Sequence, residues 1–258
     1  MTVGFSIAGG VARVTIERPD RMNAVDAATS AELERIWTAI EADETVRCVV
    51  LTGAGSRAFS AGADLKSDNG KTGLEYWAEA NPAGFGGIAC RESLMVPVIA
   101  RVNGLALGGG LEMVLGADIV IAAEHARFGL PEAKVGRLPL DGGMVMLQRL
   151  IPRNIAAGLM MTGRMMSAPE AARLGLVNAV VPEAELDAEV ERWVSDIVAC
   201  APLSLRAIKR SIRATAHLAS ADARGLKTPE LIAALTSADS QEGVAAFREK
   251  RAPQWMGR

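Results

Sequence analysis

Residues 98–115 restrict the fold of this chain more than any other stretch. A β-branched run, Val98-Ile99-Ala100-Arg101-Val102, leads into Asn103-Gly104-Leu105-Ala106-Leu107-Gly108-Gly109-Gly110, and an apolar segment, 111–115, leads out. That order predicts a strand, a glycine turn and the first turn of a buried helix. Three consecutive glycines leave the turn without side chains, so another molecule can press directly on its backbone. The amides that open the helix have no intrahelical acceptor and lie at the positive end of its dipole. Glu112 falls in the same first turn. Bare N–H donors beside a carboxylate are the parts needed to hold a developing oxyanion and to move a proton next to it. The same residues also suit a plain strand-to-helix turn in which the dipole favours the Glu by about 0.3–1 kcal/mol. A dinucleotide-binding turn fits less well: glycines at 104, 108, 109 and 110 do not spell G-x-G-x-x-G, and no full βαβ unit follows.

Bulk properties bound what such a turn can belong to. A chain of 258 residues holds one large domain, or a core with a smaller appendage. Hydrophobic residues make up 50% and aromatics only 4%, so the core rests on Ala, Val, Leu, Ile and Met. A formal charge of -2 and a pI near 5.8 argue against a nucleic-acid surface, which is normally strongly basic. Cys48, Cys90 and Cys200 form no CxxC pair; they read as small buried hydrophobes of a reducing compartment, not as a disulfide or zinc framework. Met1-Thr2-Val3-Gly4-Phe5 carries no basic segment followed by an apolar one, and no apolar run approaches membrane-spanning length. The expectation is a soluble, cytoplasmic protein without a membrane partner.

In chain order, two β-like runs at 3–8 and 11–17 flank Gly9-Gly10, a hairpin signal. Asp26 can cap a helix whose Leu33, Ile36, Trp37 and Ile40 follow the i, i+3, i+4, i+7 pattern. Cys48-Val49-Val50-Leu51 reads as a strand covered on both faces, and the small residues of 52–66 as a long loop of the kind that carries function. Glycines and Pro82 break any period over 67–94, where Tyr76, Trp77 and Phe85 supply scarce aromatics; this is an irregular segment, either over a pocket or a surface excursion. Residues 119–123 form another buried strand, 127–132 a turn, and Asp141-Gly142-Gly143 precedes a helix to about Leu150. Ser167-Ala168-Pro169-Glu170 is a capping box opening a helix that ends at Gly175, and 177–181 a last strand. Beyond Pro182 the chain turns helical, with Leu186, Val190, Trp193, Val194 and Ile197 on one face and Leu205, Ile208 and Ile212 on another. β-runs alternating with helices predict an α/β core over 1–195, followed by a docked helical region over 196–258.

A second acid, Glu132, ends Phe128-Gly129-Leu130-Pro131-Glu132, just after a buried strand. Two carboxylates at the ends of neighbouring elements can share a pocket, one ionised and one protonated through unequal burial; a solvated turn residue is the plainer role. Other chemistries lack parts. Only His125 and His217 exist, without G-x-S-x-G or an ordered Ser-His-Asp series, and His125 reads as a surface residue. Neither a His/Cys metal cluster nor a Walker-type phosphate loop is present.

Three stretches together, 58–66 (Ala-Phe-Ser-Ala-Gly-Ala-Asp-Leu-Lys), Asn103-Gly104 through Glu112, and 128–132, resemble the enoyl-CoA hydratase/isomerase (crotonase) superfamily. The similarity continues in Arg18-Pro19 with Asn23-Ala24, in Met161-Thr162-Gly163-Arg164, and in Glu242-Gly243 with 246–251, so it covers nearly the whole chain. The resemblance implies a crotonase-like β–α spiral with a C-terminal α-helical oligomerisation region, assembled as a homotrimer or a dimer of trimers. It implies an oxyanion hole made by the backbone N–H groups of Ala63 and Gly109 around the thioester oxygen of an acyl-CoA. Glu112 and Glu132 match the paired acids of hydratases, Glu112 taking a proton from water as it attacks C3 and Glu132 handling the proton at C2. Coenzyme A enters as part of the substrate, with no metal or redox cofactor. Matching substrate positions are Ala61, Asp64, Leu65 and Lys66 on the oxyanion loop, Gly108 in the glycine turn, Arg21 and Met22 near the nucleotide, and Phe247 and Lys250 toward the CoA of a neighbouring subunit.

Two departures from the common hydratase pattern follow. Pro139-Leu140-Asp141-Gly142-Gly143 stands where fatty enoyl-CoA hydratases commonly carry Pro-Gly-Ala-Gly-Gly, which puts the Leu140 side chain near the acyl pocket. Residues 128–143 and 161–164 look similar to carnitinyl-CoA dehydratases, which act on a trimethylammonium acyl group that an aromatic face would suit. The leading reading is therefore an acyl-CoA hydratase/dehydratase. Its alternatives are a Δ3,Δ2-enoyl-CoA isomerase or a carnitinyl-CoA dehydratase, and, in another class, a non-catalytic acyl-CoA-binding protein.

Overall fold

The structure, a computed structural model, describes residues 2–67, 70, 72–79 and 81–258. β1 (Val3–Ala8) and β2 (Val11–Ile16) pair antiparallel from Val3 opposite Ile16 to Ala8 opposite Val11. Gly9 and Gly10 turn between them at φ 57° and 78°, the left-handed pair that a two-residue hairpin needs. Asp26 then caps α1 (Ala27–Ala42) by accepting the Thr29 N–H at 2.8 Å, and Leu33, Ile36, Trp37 and Ile40 are fully buried, as their spacing predicts.

From here the chain repeats one excursion three times. β3 (Cys48–Gly53) leads to β4 (Ala58–Ser60), and α2 (Gly73–Ala78) follows; β5 (Val98–Val102) leads to β6 (Leu105–Leu107) and α3 (Gly109–Leu115); β7 (Ile119–Ala123) leads to β8 (Arg127–Gly129). The first strand of each pair joins one sheet, ordered β1-β2-β3-β5-β7, and the second joins another, ordered β4-β6-β8. After α4 (Gly143–Leu150) and α5 (Arg153–Thr162), β9 (Met165–Ser167) closes the small sheet antiparallel to β8; after α6 (Ala168–Arg173), β10 (Ala179–Val181) closes the large one parallel to β7. The spiral expected of an α/β crotonase-like chain is this alternation between two sheets.

The small sheet corrects the sequence reading at three places. The long loop 52–66 contains β4, the glycine turn contains β6, and the turn at 127–132 contains β8. Three-residue strands are too short to show a two-residue period, which is why pattern alone misses them. The Ser167 side chain does receive the Glu170 N–H at 3.4 Å, and Gly175 follows α6 at φ 86°.

The unbroken run in β3 is divided between two cores. Val49 and Leu51 face one with α1, α3 and the small sheet, whereas Cys48 and Val50 face Leu186, Val190, Val194 and Ile197 of α7 (Leu186–Val198). The helical region continues as α8 (Pro202–Thr215), α9 (Ser220–Gly225), α10 (Pro229–Thr236) and α11 (Ala238–Glu249). On α8 only Leu205 of the apolar stripe packs against the core: Ile208 and Ile212 are exposed, and Ala207 and Lys209 turn inward. The Lys209 ammonium, 5% exposed, donates to Asp118 Oδ2 at 2.6 Å and to Val96 O at 2.7 Å, while Arg213 donates to Arg91 O at 2.7 Å. Of the cysteines, Cys48 is buried, Cys90 half-buried and Cys200 exposed; Cys200 thus departs from the expected buried role.

Burial disfavours the Lys209 ammonium and lowers its pKa to about 8, against the opposing pull of Asp118. Asp118→Asn strands that charge inside and should cost about 3 kcal/mol, whereas Lys209→Met removes the buried charge itself and should cost less. Urea denaturation of both variants checks the order; equal losses would contradict it.

Candidate active site

Two buried asparagines pin the loop that ends at Ala63. Asn23 Nδ2 donates to Ala54 O (2.9 Å) and Ala58 O (2.7 Å), and Asn103 Nδ2 donates to Gly53 O (2.8 Å) and Ala58 O (3.1 Å). Ser60 Oγ donates to Asn23 O and in turn accepts the Gly62 N–H. Arg18 ties the far side, donating to Ala24 O and bridging Asp26 and Asp64 at 2.8 and 2.9 Å. Val25 and Ala63 then form an isolated bridge in which Gly62 O accepts from Val25 N and Val25 O from Asp64 N.

This places Gly62, at φ +83°, against the start of α3. A Cβ on Gly62 would lie 2.8 Å from Leu107 O and 2.9 Å from Gly109 N, and one on Gly110 would lie 2.1 Å from Ser60 O. Two turns remote in sequence thus meet backbone to backbone, which only glycine allows. The Ala63 and Gly109 N–H groups have no acceptor among the described residues; Gly109 is the first residue of α3, where none is available within the helix.

Glu112, in the first turn of α3, is 3% exposed, and its Oε1 accepts the Gly143 N–H at 2.9 Å. Burial pushes its pKa from 4.5 up to about 8, with the charges of Asp141 and Glu132 adding to the rise. Glu132 opens the turn 132–135 after β8. A Cβ on Gly108 would approach its Oε1 to 3.2 Å, and its Oε2 is buried without a donor among the described residues. Burial raises the Glu132 pKa as well. The two acids, the glycine turn and the Ala63 loop therefore occupy one neighbourhood.

The other expected positions divide. Ala61 donates its N–H to Met22 O at 2.9 Å, so Met22 and the loop that carries Ala63 are adjacent, with exposed Arg21 next in the chain. The Asp64 carboxylate is committed to Arg18 and to the Lys66 N–H; Leu65 and Lys66 are exposed. Leu140 is half-buried beside Asp141. Phe247, 86% exposed, lies on α11 and Lys250 ends it in a left-handed turn (φ 55°); the partners of α11 are α10 and the last residues of the chain. His125 is exposed, its Nε2 3.0 Å from Ser56 O. An open groove of about 580 Å³ between Glu34, Pro82, Cys90 and Arg91 excludes both glutamates.

Sequence reasoning treated Asp141 as the lead into a helix and as part of a departure from pattern, and Tyr76 as a scarce aromatic that could offer a cationic acyl group its ring; neither was read as a partner of the other. The structure joins them: the Tyr76 hydroxyl of α2 donates to Asp141 Oδ2 at 2.5 Å, and Cys90 Sγ donates to Asp141 O at 3.2 Å. The available signal was an acid directly before Gly142-Gly143 and a helix start, the same ingredients as at Glu112 but with the acid before the glycines and not after them.

A family model described as Enoyl-CoA hydratase/isomerase matches residues 6–258. The chain belongs to the enoyl-CoA hydratase/isomerase family. Among curated relatives, the carnitinyl-CoA dehydratases of Shigella flexneri and Salmonella typhi are each 41% identical over 254 residues, covering 97% of this chain and 96% of theirs. Among solved structures, the enoyl-CoA hydratase of Bacillus anthracis superposes with a TM-score of 0.91 at 33% identity over 100% of both chains. That of Mycobacterium tuberculosis superposes with a TM-score of 0.90 at 33% identity, over 100% of this chain and 99% of the other. The fold is thus that of the family's hydratases, including the helical C-terminal region.

The buried carboxyl has a consequence for stability. Folding keeps the Glu112 proton up to about pH 8, whereas the unfolded chain releases it near 4.5, so wild-type stability falls as pH rises through that window. Glu112→Gln keeps an acceptor for Gly143 and removes the ionisation. It should gain about 2–4 kcal/mol on the wild type between pH 5 and pH 9 in urea titrations; a difference independent of pH would contradict the assignment.

Proposed function

We propose that this protein is an acyl-CoA hydratase/dehydratase that adds water reversibly across the double bond of a 2-enoyl-CoA thioester. One observation carries the reading: a buried acid, Glu112, and a half-buried one, Glu132, neither paired with a cation among the described residues, stand beside main-chain donors that have no acceptor among them. In the proposed reaction the thioester oxygen receives the N–H groups of Ala63 and Gly109, and one water lies between Glu112 and Glu132. Glu112 takes a proton from that water as its oxygen bonds to C3, negative charge collects on the thioester oxygen, and Glu132 delivers a proton to C2. Dehydration runs the same steps backward: Glu132 removes the C2 proton and Glu112 protonates the departing hydroxyl. Losing one oxyanion donor is worth about 2.7–4 kcal/mol. Charge on an oxygen that N–H groups can hold requires no metal or redox group in this scheme.

Two acids favour hydration and dehydration over double-bond migration, which needs one. The 41% identity to carnitinyl-CoA dehydratases supports an acyl group other than a straight fatty chain, with Leu140 at its end of the pocket. For the CoA moiety we assign Arg21, Met22, Ala61, Leu65, Lys66 and Gly108, with Asp64 holding the loop through Arg18. The core is taken as 1–195 and the helical region, 196–258, as the oligomerisation region. A homotrimer or dimer of trimers, in the cytoplasm, would cover the exposed Ile208 and Ile212 and bring Phe247 and Lys250 to a neighbour's CoA.

Turnover of crotonyl-CoA and crotonobetainyl-CoA, followed by loss of the conjugated thioester absorbance, tests the reading. Glu112→Gln and Glu132→Gln should each remain folded and lose at least ~10²-fold in kcat. Both directions use the pair with a single proton on it, so kcat/KM should be bell-shaped in pH, with the alkaline limb near the Glu112 value of about 8. Unchanged turnover in both variants would remove the mechanism; CoA thioester binding without turnover would make the protein a binding module.

A further inference from the structure

Glu112 is held from more than one side. The turn 139–143 supplies the Gly143 N–H and Asp141, the turn 132–135 supplies Glu132, α2 supplies Tyr76, and the segment after Gly84 supplies Cys90. The charges that act most on Glu112, those of Asp141 and Glu132, are both negative, and no cation among the described residues pairs with either acid. Asp141 is buried and fixed at both ends: its carboxylate receives the Tyr76 hydroxyl, and its carbonyl receives Cys90 Sγ. Tyr76 lies on α2, whose start is locked by a reciprocal cap between Thr72 and Glu75. Gly142, at φ +108°, then lets the backbone turn from Asp141 into the amide that grips Glu112. The carboxylate of Asp141 and the N–H that orients Glu112 therefore sit two residues apart on one rigid turn.

We propose that Asp141 and Tyr76 form a positioning pair for Glu112: the phenol holds the Asp141 carboxylate in place on the turn whose Gly143 N–H grips Glu112, and that fixed charge adds to burial in delaying the loss of the Glu112 proton. The inference rests on the reading of Glu112 as a reacting acid. Neither member of the pair touches the reacting atoms in this scheme. The hydrogen bond from Tyr76 favours the ionised form of Asp141 against its burial. A like charge held nearby makes Glu112 surrender its proton later, which keeps the singly protonated acid pair populated at neutral pH.

The test is the pH profile of kcat/KM for enoyl-CoA hydration, measured for wild type, Asp141→Asn, Tyr76→Phe and the double variant, with Glu112→Gln as control. Asp141→Asn keeps an acceptor for Tyr76 but removes the charge, so the alkaline limb should move down by roughly one pH unit. Tyr76→Phe lets Asp141 take up a proton more readily, and its limb should move in the same direction by less. The double variant should move no further than Asp141→Asn alone, because both changes act through one charge. A limb left at the wild-type pH in Asp141→Asn, whatever happens to its rate or melting temperature, makes Asp141 a merely structural residue and overturns the proposal. Should Asp141→Asn fail to fold, Tyr76→Phe decides: an unmoved limb there overturns it equally. Full turnover in the Glu112→Gln control would instead refute the reading of Glu112 itself.

Discussion

Main chain touching main chain is the constraint on which this molecule depends. Gly62 and Gly110 bring the loop after β4 against the first turn of α3, where any Cβ would overlap a backbone atom. That approach holds the Ala63 and Gly109 amides in one neighbourhood, and the small sheet enforces it, because β4 and β6 are parallel neighbours. The polar supports follow from the same need. Asn23 and Asn103 anchor the Ala58 carbonyl of β4, and Ser60, tied to Asn23 O, receives the Gly62 N–H of the loop itself.

The acids show the complementary principle. Glu112, Glu132 and Asp141 each resist ionisation through burial, and folding gains nothing from placing them together. Elsewhere in the chain buried charge is neutralised: Arg91 is clamped by Glu41 and Glu34, and Lys209 by Asp118. Three acids without a cation among the described residues, beside donors without an acceptor there, mark where stability has been given up for chemistry. Environment separates the acids: Glu112 has the Gly143 amide, Asp141 has Tyr76, and Glu132 has one oxygen without a donor.

What was legible in the sequence was whatever has a period or a cap. The Gly9-Gly10 hairpin, the Asp26 cap, the four-residue stripe of α1 and the doubly buried run of β3 each carry a local physical signal, and each formed. The short strands β4, β6 and β8 carry none, so the second sheet was invisible although the residues around it were the ones singled out. Residues 67–94 lacked a period because their order comes from partners far along the chain, Tyr76 on Asp141 and Trp37 Nε1 on Gly86 O; Asp68, Asn69, Lys71 and Ala80 lie outside the described residues. Glu112 was readable because helix start and glycines adjoin it. Asp141 was not, since its meaning depends on a tyrosine 65 positions away. On α8 periodicity identified an apolar stripe of which Leu205 docks while Ile208 and Ile212 stay exposed, and the buried Lys209 that pairs with Asp118 carries no such signal.

The most direct measurement is a crystal structure of the Glu112→Gln variant with a bound 2-enoyl-CoA. The account predicts the thioester oxygen within about 3 Å of both the Ala63 and Gly109 nitrogens, with C2 and C3 lying between positions 112 and 132. A thioester bound elsewhere, or with its oxygen turned away from those two amides, would contradict it.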